Sequence, residues 1–346
     1  MGIPENSNIK LRNKFKKGKR NLITDVPGVK VGQITKKDSN ADIHTGVTTI
    51  IPREENVFEN KTLAGTSVIN GFGKSVGLIQ IDELGTIETP IVMTNTFGVG
   101  TALNALTKYM LMNNPEIGVS TGTVNCIVTE CNDGELNDIR GMHISEQDVL
   151  ESIENASLDF DEGDVGSGTG MICMEMKGGI GSASRVVKFD GKEYTIGAIL
   201  MSNFGMEGNL RIDGTLADKT YKKCNKPEQG SCIIIIATDI PLNERQLRRV
   251  AKRATVGLAR TGSFLGNGSG DIAIAFSNGN TVPHFSDRCI LDVKMFNDDK
   301  IDDIFEATAE TVEECVISSL YHANTVVGIR DKKVLSLKET YNESVR

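Results

Sequence analysis

The sequence predicts an α+β fold in which helices are laid over sheets, and three observations carry that expectation. Short β-branched runs bounded by Gly and Pro recur along the chain. Two long segments, 243–260 and 304–320, repeat apolar residues at helical spacing. One run of four isoleucines, 233–236, reads as a strand buried on both faces. No internal repeat and no linker interrupts these elements, so one layered domain is expected.

From Leu22 to Pro52 short strands alternate with turns. Val29-Lys30-Val31 alternates, Pro27-Gly28 turns, and the β-branched run 46–51 stops at Pro52. Further strands are predicted at 77–81, 91–94 and 125–129. Between the last two, Ala102, Ala105, Leu106 and Tyr109 share one face of a helix over 101–112. Ser145, with Asp148 three residues on, opens a short helix with a capping-box start. A glycine-dense stretch, 163–184, precedes an apolar strand over 194–202. Residues 217–230 are polar and aperiodic and read as an exposed loop, after which the chain passes directly into Ser231, Cys232 and the isoleucine run. Asn243 and Gln246 cap the next helix. Its stripe is Leu247, Val250, Ala251, Ala254 and Leu258, and Arg245, Arg248, Arg249, Lys252 and Arg253 form its solvated face. A strand over 271–277 and a second amphipathic helix over 304–320 follow.

Composition removes several function classes. The net charge of -8 and an aromatic content of 5% without Trp argue against a nucleic-acid partner. No apolar stretch near the N-terminus would serve as a signal peptide or membrane span, so no membrane partner is expected. Lys10, Arg12, Lys14, Lys16, Lys17, Lys19 and Arg20 form a basic arm, residues 1–20, read as a solvated, mobile tail. Seven cysteines without a C-x-x-C pair suggest free thiols in a reducing compartment, and hence a cytoplasmic enzyme.

Most catalytic motifs fail on inspection. Gly71-Phe72-Gly73-Lys74-Ser75 resembles a phosphate loop, but Val68 stands where that pattern needs glycine, and 76–81 alternates like a strand rather than opening a helix. No dinucleotide fingerprint is present, and no cofactor is expected. His44, His143, His284 and His322 are scattered, with no metal-ligand spacing. No G-x-S-x-G elbow supports an ordinary serine hydrolase. Cys232 should point opposite to Ser231 and pack in the core.

Ser231 differs from these in where it stands. A Gly-Ser bond where a polar loop meets a buried strand is usually a turn, but it also suits an N-to-O acyl shift, because Gly230 lets the backbone bend toward the hydroxyl. Hydrolysis of that ester would free an α-amine on the residue bearing the hydroxyl. With a reference pKa of about 7.7 to 8.0, the amine can act as a local base.

The motifs as an ordered set resemble the L-aminopeptidase/D-alanine-esterase/amidase and β-aminopeptidase group of self-processing peptidases. They run from Asn21-Leu22-Ile23-Thr24-Asp25-Val26-Pro27-Gly28-Val29-Lys30-Val31-Gly32 and Thr45-Gly46-Val47-Thr48 through Glu88-Thr89-Pro90-Ile91 and Thr94-Asn95-Thr96. Asp133-Gly134, Leu136-Asn137-Asp138, Gly166-Ser167-Gly168-Thr169-Gly170 and Ser202-Asn203-Phe204-Gly205 continue the series. Gly230-Ser231, Ala237-Thr238-Asp239 and Gly266-Asn267-Gly268-Ser269-Gly270-Asp271 complete it.

The resemblance implies a four-layer αββα sandwich of the N-terminal-nucleophile type, spanning residues 21–346. It implies autocleavage between Gly230 and Ser231 into chains 1–230 and 231–346, which stay together and form homo-oligomers. Ser231 would be the nucleophile, Ser269 and Asp271 would orient its α-amine, and Asn203 would help form an oxyanion hole. Some relatives carry Glu where this chain has Asp271. Glu130 matches a glutamate that pairs with the free ammonium of a small peptide, amide or ester substrate; its alternative is a structural carboxylate. Where some relatives place a tyrosine two positions after this glutamate, this chain has Asn132, so no phenol stands there to act on the substrate. Two other functions remain open at this point, an acyltransferase of the ornithine-acetyltransferase type and a non-processed binding protein of the same fold.

Overall fold

A computed structural model describes residues 3, 7, 9–217 and 228–341. Its frame is two facing sheets. The first has four strands, β1 (Lys30–Asp38), β2 (Ile43–Ile51), β5 (Ile91–Asn95) and β6 (Ile127–Cys131), in the order β1-β2-β5-β6. The second contains β3 (Asn60–Val68), β4 (Thr86–Ile87), β7 (Gly179–Phe189), β8 (Lys192–Asn203), β9 (Gln229–Thr238) and β10 (Gly268–Pro283). Its order is β4-β3-β10-β9-β8-β7. Neighbours are antiparallel except β5–β6 and β9–β10, which run parallel.

Side-chain alternation assigns the layers. Ile233 and Ile235 of β9 pack inward with Ile199, Met201, Ile272 and Ile274, against Ile50, Ile91, Met93 and Ile127 of the other sheet. Ile234 and Ile236 point the other way. They join Leu247, Val250, Val312 and Val316 of helices α4 (Glu244–Arg260) and α5 (Asp302–His322). On the far side, Val92 and Val128 pack with Ala102, Leu106, Val149 and Ile153 of α2 (Val99–Asn113) and α3 (Glu146–Glu154). The result is the expected αββα sandwich, and β9 is central to its sheet and buried on both faces. The capping boxes at Ser145/Asp148 and Asn243/Gln246 form as predicted.

Several expectations need correction. Residues 77–81 are not a strand. Gly77 (φ 90°) and Gly85 (φ 67°), both left-handed, bracket helix α1 (Leu78–Leu84). Leu78 and Ile81, three apart, pack between the sheets while Ile79 is exposed, so a run that alternates in text is used at helical spacing. The strand expected at 125–129 begins two residues later, because the Asn125 amide bonds Glu88 Oε1 (2.9 Å) instead of a ladder partner. Helix α5 is not amphipathic but buried almost all round, with α4 beside it and the outer sheet face beneath.

The basic arm is docked from residue 9 onward, while the side chains of Lys10, Arg12, Lys14, Lys16 and Lys19 stay exposed to solvent. Lys16 bridges to Val186, the Lys14 amide donates to Glu310 Oε1 (2.8 Å), and Lys17 Nζ meets Glu314 Oε1 at 2.6 Å. Glu310 and Glu314 of α5 also hold Arg185, whose Nε lies 3.3 Å and whose guanidinium terminus 2.6 Å from them, in full burial. Unpaired, such acids inside a helix layer would cost several kcal/mol each, about the penalty for any buried ion. No helix among the described residues is long and apolar enough to cross a membrane.

Candidate active site

The strand ends of the central sheet converge on Ser231. Residues 218–227 of the predicted loop lie outside the described residues, but its last three do not behave as loop. Glu228 is buried, accepting from Ser263 Oγ (2.6 Å) and the Gly266 amide (3.3 Å). Gln229 already belongs to β9, paired with Gly268. The Gly230–Ser231 bond is thus held inside a strand. Gly230 adopts φ 133°, and a Cβ there would stand 2.0 Å from the Asn203 carbonyl oxygen, so only glycine fits. The Ser231 hydroxyl donates to the Gly230 carbonyl oxygen at 2.7 Å. It can therefore reach the carbonyl that an acyl shift would attack.

Ser231 shares its face with Ile233, toward the space between the sheets. There it meets Cys131, whose thiol burial pushes well above its ordinary range. Cys232 faces the helices in the apolar core, as expected, and burial raises its thiol in the same way, so neither cysteine is a ready thiolate.

Ser269 and Asp271 sit on β10, in register with Gly230 and Cys232. Their side chains share the parity of Cys232, so they leave the sheet on the face opposite to the Ser231 hydroxyl. Ser269 Oγ donates to Asp271 Oδ1 (2.8 Å), and Asn70 Nδ2 donates to Oδ2 (3.1 Å). Burial raises the Asp271 pKa against these two donors. A carboxylate poised in this way suits holding and passing a proton at an amine.

Asn203 ends β8, paired with Ser231. Its Oδ1 accepts from the Ile172 amide (3.0 Å) and its Nδ2 donates to the Asn132 carbonyl (3.0 Å), which fixes which end of the carboxamide is which. Glu130, buried at the end of β6, accepts from the Lys74 amide (2.9 Å) and from Thr96 Oγ1. Asn132 is exposed, and its Oδ1 turns back to the Gly134 amide (2.8 Å). Glu130, Asn132, Asn203, Gly230 and Ser231 line one cavity of about 590 Å³ with Phe72 and Lys74, a volume suited to a small ligand. Ser269 and Asp271 stand behind its wall. Among the described residues no cluster of three or more His, Cys, Asp or Glu side chains is placed to hold a metal ion.

Sequence reasoning missed three contributors. Asn70 ties Asp271 to the Leu265 and Gly266 carbonyls, and Glu228 anchors the chain before Gly230. The loop 71–74, considered only as a phosphate loop, lies over the β10 end, where a Cβ on Gly270 would meet the Phe72 carbonyl oxygen at 2.4 Å. Its glycine-rich text was the available signal.

Two sheets face to face between two helical layers, with a serine near the head of a central strand, define the N-terminal-nucleophile class of hydrolases. Comparison with known proteins gives the particular family. The chain belongs to peptidase family S58, whose sequence profile matches residues 21–334. It is 36% identical over 341 residues to the beta-peptidyl aminopeptidase BapA of Sphingosinicella microcystinivorans, covering 91% of this chain and 84% of that one. A Pyrococcus horikoshii protein superposes with a TM-score of 0.90 at 50% identity, over 96% of this chain and 95% of that one. The L-aminopeptidase D-Ala-esterase/amidase of Ochrobactrum anthropi, described as a prototype serine aminopeptidase and a variant of the Ntn hydrolase fold, does so with 0.88 at 35% identity, over 97% and 96%. The chain is accordingly a serine aminopeptidase that hydrolyses N-terminal residues.

Proposed function

We propose that this aminopeptidase matures by cutting itself between Gly230 and Ser231, and that the freed Ser231 is its nucleophile on small peptides, amides or esters with a free amino group. The observation that carries the reading is the 2.7 Å contact of the Ser231 hydroxyl with the carbonyl of the preceding, glycine-only residue. In the maturation step, Ser231 Oγ attacks the Gly230 carbonyl carbon and the C–N bond breaks. The resulting ester is hydrolysed by water, leaving a Gly230 carboxylate and a Ser231 α-amine.

In turnover, that amine takes the proton of the attacking hydroxyl and later returns it to the leaving group. Ser269 and Asp271 orient the amine from the neighbouring strand. The remaining Nδ2 proton of Asn203 stabilises the oxyanion. Glu130 receives the substrate ammonium in the cavity, which restricts cleavage to terminal residues. The peptidase relatives do not favour the acyltransferase alternative. Six described cysteines are unpaired, which supports a reducing, cytoplasmic setting. The family resemblance further supports homo-oligomers of the processed pair.

Intact mass of the purified protein tests the first claim: two fragments, 1–230 and 231–346, are expected, and one uncut chain would sink it. Ser231→Ala should remain a single chain without activity; an active variant would exclude Ser231 as nucleophile. Glu130→Gln should raise KM for an unblocked dipeptide roughly tenfold or more while changing kcat little, as expected when one ion-paired contact to the substrate is lost.

A further inference from the structure

Lys177 is the one lysine among the described residues whose side chain is completely buried and meets no carboxylate within ion-pair distance. Burial lowers its pKa to about 7, and in the ammonium form all three of its protons are used. Nζ lies 3.1 Å from the Gly168 carbonyl oxygen, 2.8 Å from that of Met171 and 2.7 Å from that of Gly178. Three backbone carbonyls aimed at one point repel one another, so the turn they belong to closes only around a cation or a strong donor.

That turn is the support of Asn203. Residues Ile172–Cys173 pair with Met176–Lys177 as a two-stranded ribbon in which Ile172 faces Lys177 directly. The Gly178 amide returns to the Met171 carbonyl (3.0 Å), and the Met174 amide bonds the Phe204 carbonyl (2.8 Å). From this ribbon the Ile172 amide donates to Asn203 Oδ1. The orientation of the Asn203 carboxamide, with Nδ2 toward the Asn132 carbonyl and the cavity, therefore depends on where the Ile172 amide stands.

We propose that Lys177 is a positioning residue for the oxyanion donor, its ammonium closing the 168–178 turn so that the Ile172 amide holds Asn203 with Nδ2 turned into the site. This rests on the reading of Asn203 given above. Lys177 touches neither substrate nor nucleophile. A lysine was needed because the enclosure offers three acceptors converging on one point, which suits a compact ammonium rather than a planar guanidinium.

The test is steady-state kinetics on the processed enzyme with Asn203→Ala, Lys177→Met, Lys177→Gln and the double variant Lys177→Met/Asn203→Ala, with thermal melts alongside. Asn203→Ala should lower kcat by about 10²- to 10³-fold, the usual loss for one oxyanion donor. Lys177→Met should lower kcat at least about tenfold with KM changed less than about threefold, the pattern of an interaction made only in the transition state. The double variant should be no slower than Asn203→Ala alone, because both substitutions remove the same donor. If Lys177→Met does not yield folded protein, Lys177→Gln, which keeps two donors, carries the comparison and should show the smaller loss in kcat.

The outcomes separate the two claims. An Asn203→Ala enzyme with unchanged kcat would overturn the reading of Asn203. If Asn203→Ala is slow but the folded Lys177 variant lowers the melting temperature alone, or if the two losses multiply in the double variant, the positioning role of Lys177 is wrong while Asn203 stands.

Discussion

Substituting Gly230 by alanine should slow the proposed self-cleavage by about two orders of magnitude. A Cβ built on Gly230 stands 2.0 Å from the Asn203 carbonyl oxygen and 2.9 Å from Phe204 Cα, both backbone atoms that cannot swing aside. Bringing the first contact to 3.0 Å, below which Cβ atoms are essentially never found, requires a movement of about 1 Å. The φ of 133° adds backbone strain on the order of 1–3 kcal/mol for alanine. The chain relieves both by drawing residue 230 away from β8, and the carbonyl that the Ser231 hydroxyl now meets at 2.7 Å moves with it. A displacement of that size at a reacting centre costs on the order of 100-fold in rate, or about 2.7 kcal/mol.

The assay is refolding or cell-free synthesis followed by acid quench at intervals, with the fraction of uncut chain read by intact mass. Gly191→Ala is the control: Gly191 also has a positive φ, of 80°, but nothing lies within 4 Å of its Cβ position, so it carries backbone strain without the displacement. Its processing rate should match wild type. A Gly230→Ala protein that is folded and cuts itself as fast as wild type, or faster, would refute the geometric argument.

Two further outcomes follow from buried charge. Burial raises Asp133 to about 6 against the donors Thr45, Asn95 and Asn137, so the folded protein holds this proton more tightly than the unfolded chain does. The associated stability is present below the ordinary value of 3.8 and is lost as pH rises through about 6, at most roughly 3 kcal/mol. Urea unfolding at pH 4 and 7.5 should show this fall in wild type and a flatter profile in Asp133→Asn; equal slopes would remove Asp133 as the cause. Arg185→Met should leave Glu310 buried without a cation and Glu314 with Lys17 alone, and cost about 3–5 kcal/mol in the same assay. A loss below about 1 kcal/mol would refute Arg185 as the cation that holds the two acids in the core.

What could be read from the text was set by local chemistry. The isoleucine run, the two capping boxes and the stripe of α4 need only neighbours in sequence, and all three form. The docking of the basic arm was not legible because its partners, Glu310 and Glu314, lie about 300 residues away, and a run of lysines looks the same whether or not acids await it. Residues 77–81 failed because five residues cannot separate a period of 2 from one of 3.6 without knowing which side is buried. At the site, the serine-bearing motifs were visible as a family pattern. Asn70, Glu228 and Lys177 matter only through where three distant loops meet, and no spacing could have announced them.

The strand order carries a consequence for how such a protein ages. In the sequence β4-β3-β10-β9-β8-β7, the two strands after Ser231 lie between two blocks that precede it. A cut at Gly230 leaves each fragment completing the other: the shorter one supplies the middle of a sheet whose flanks, in the longer one, do not touch. While the chain is whole, those parts find each other at the high effective concentration of a tether. Afterward, separation and reunion become a second-order encounter, sensitive to dilution. Melting before the proposed cut should then be reversible, and melting after it largely a one-way loss, so that a cut form would persist by the slowness of its coming apart.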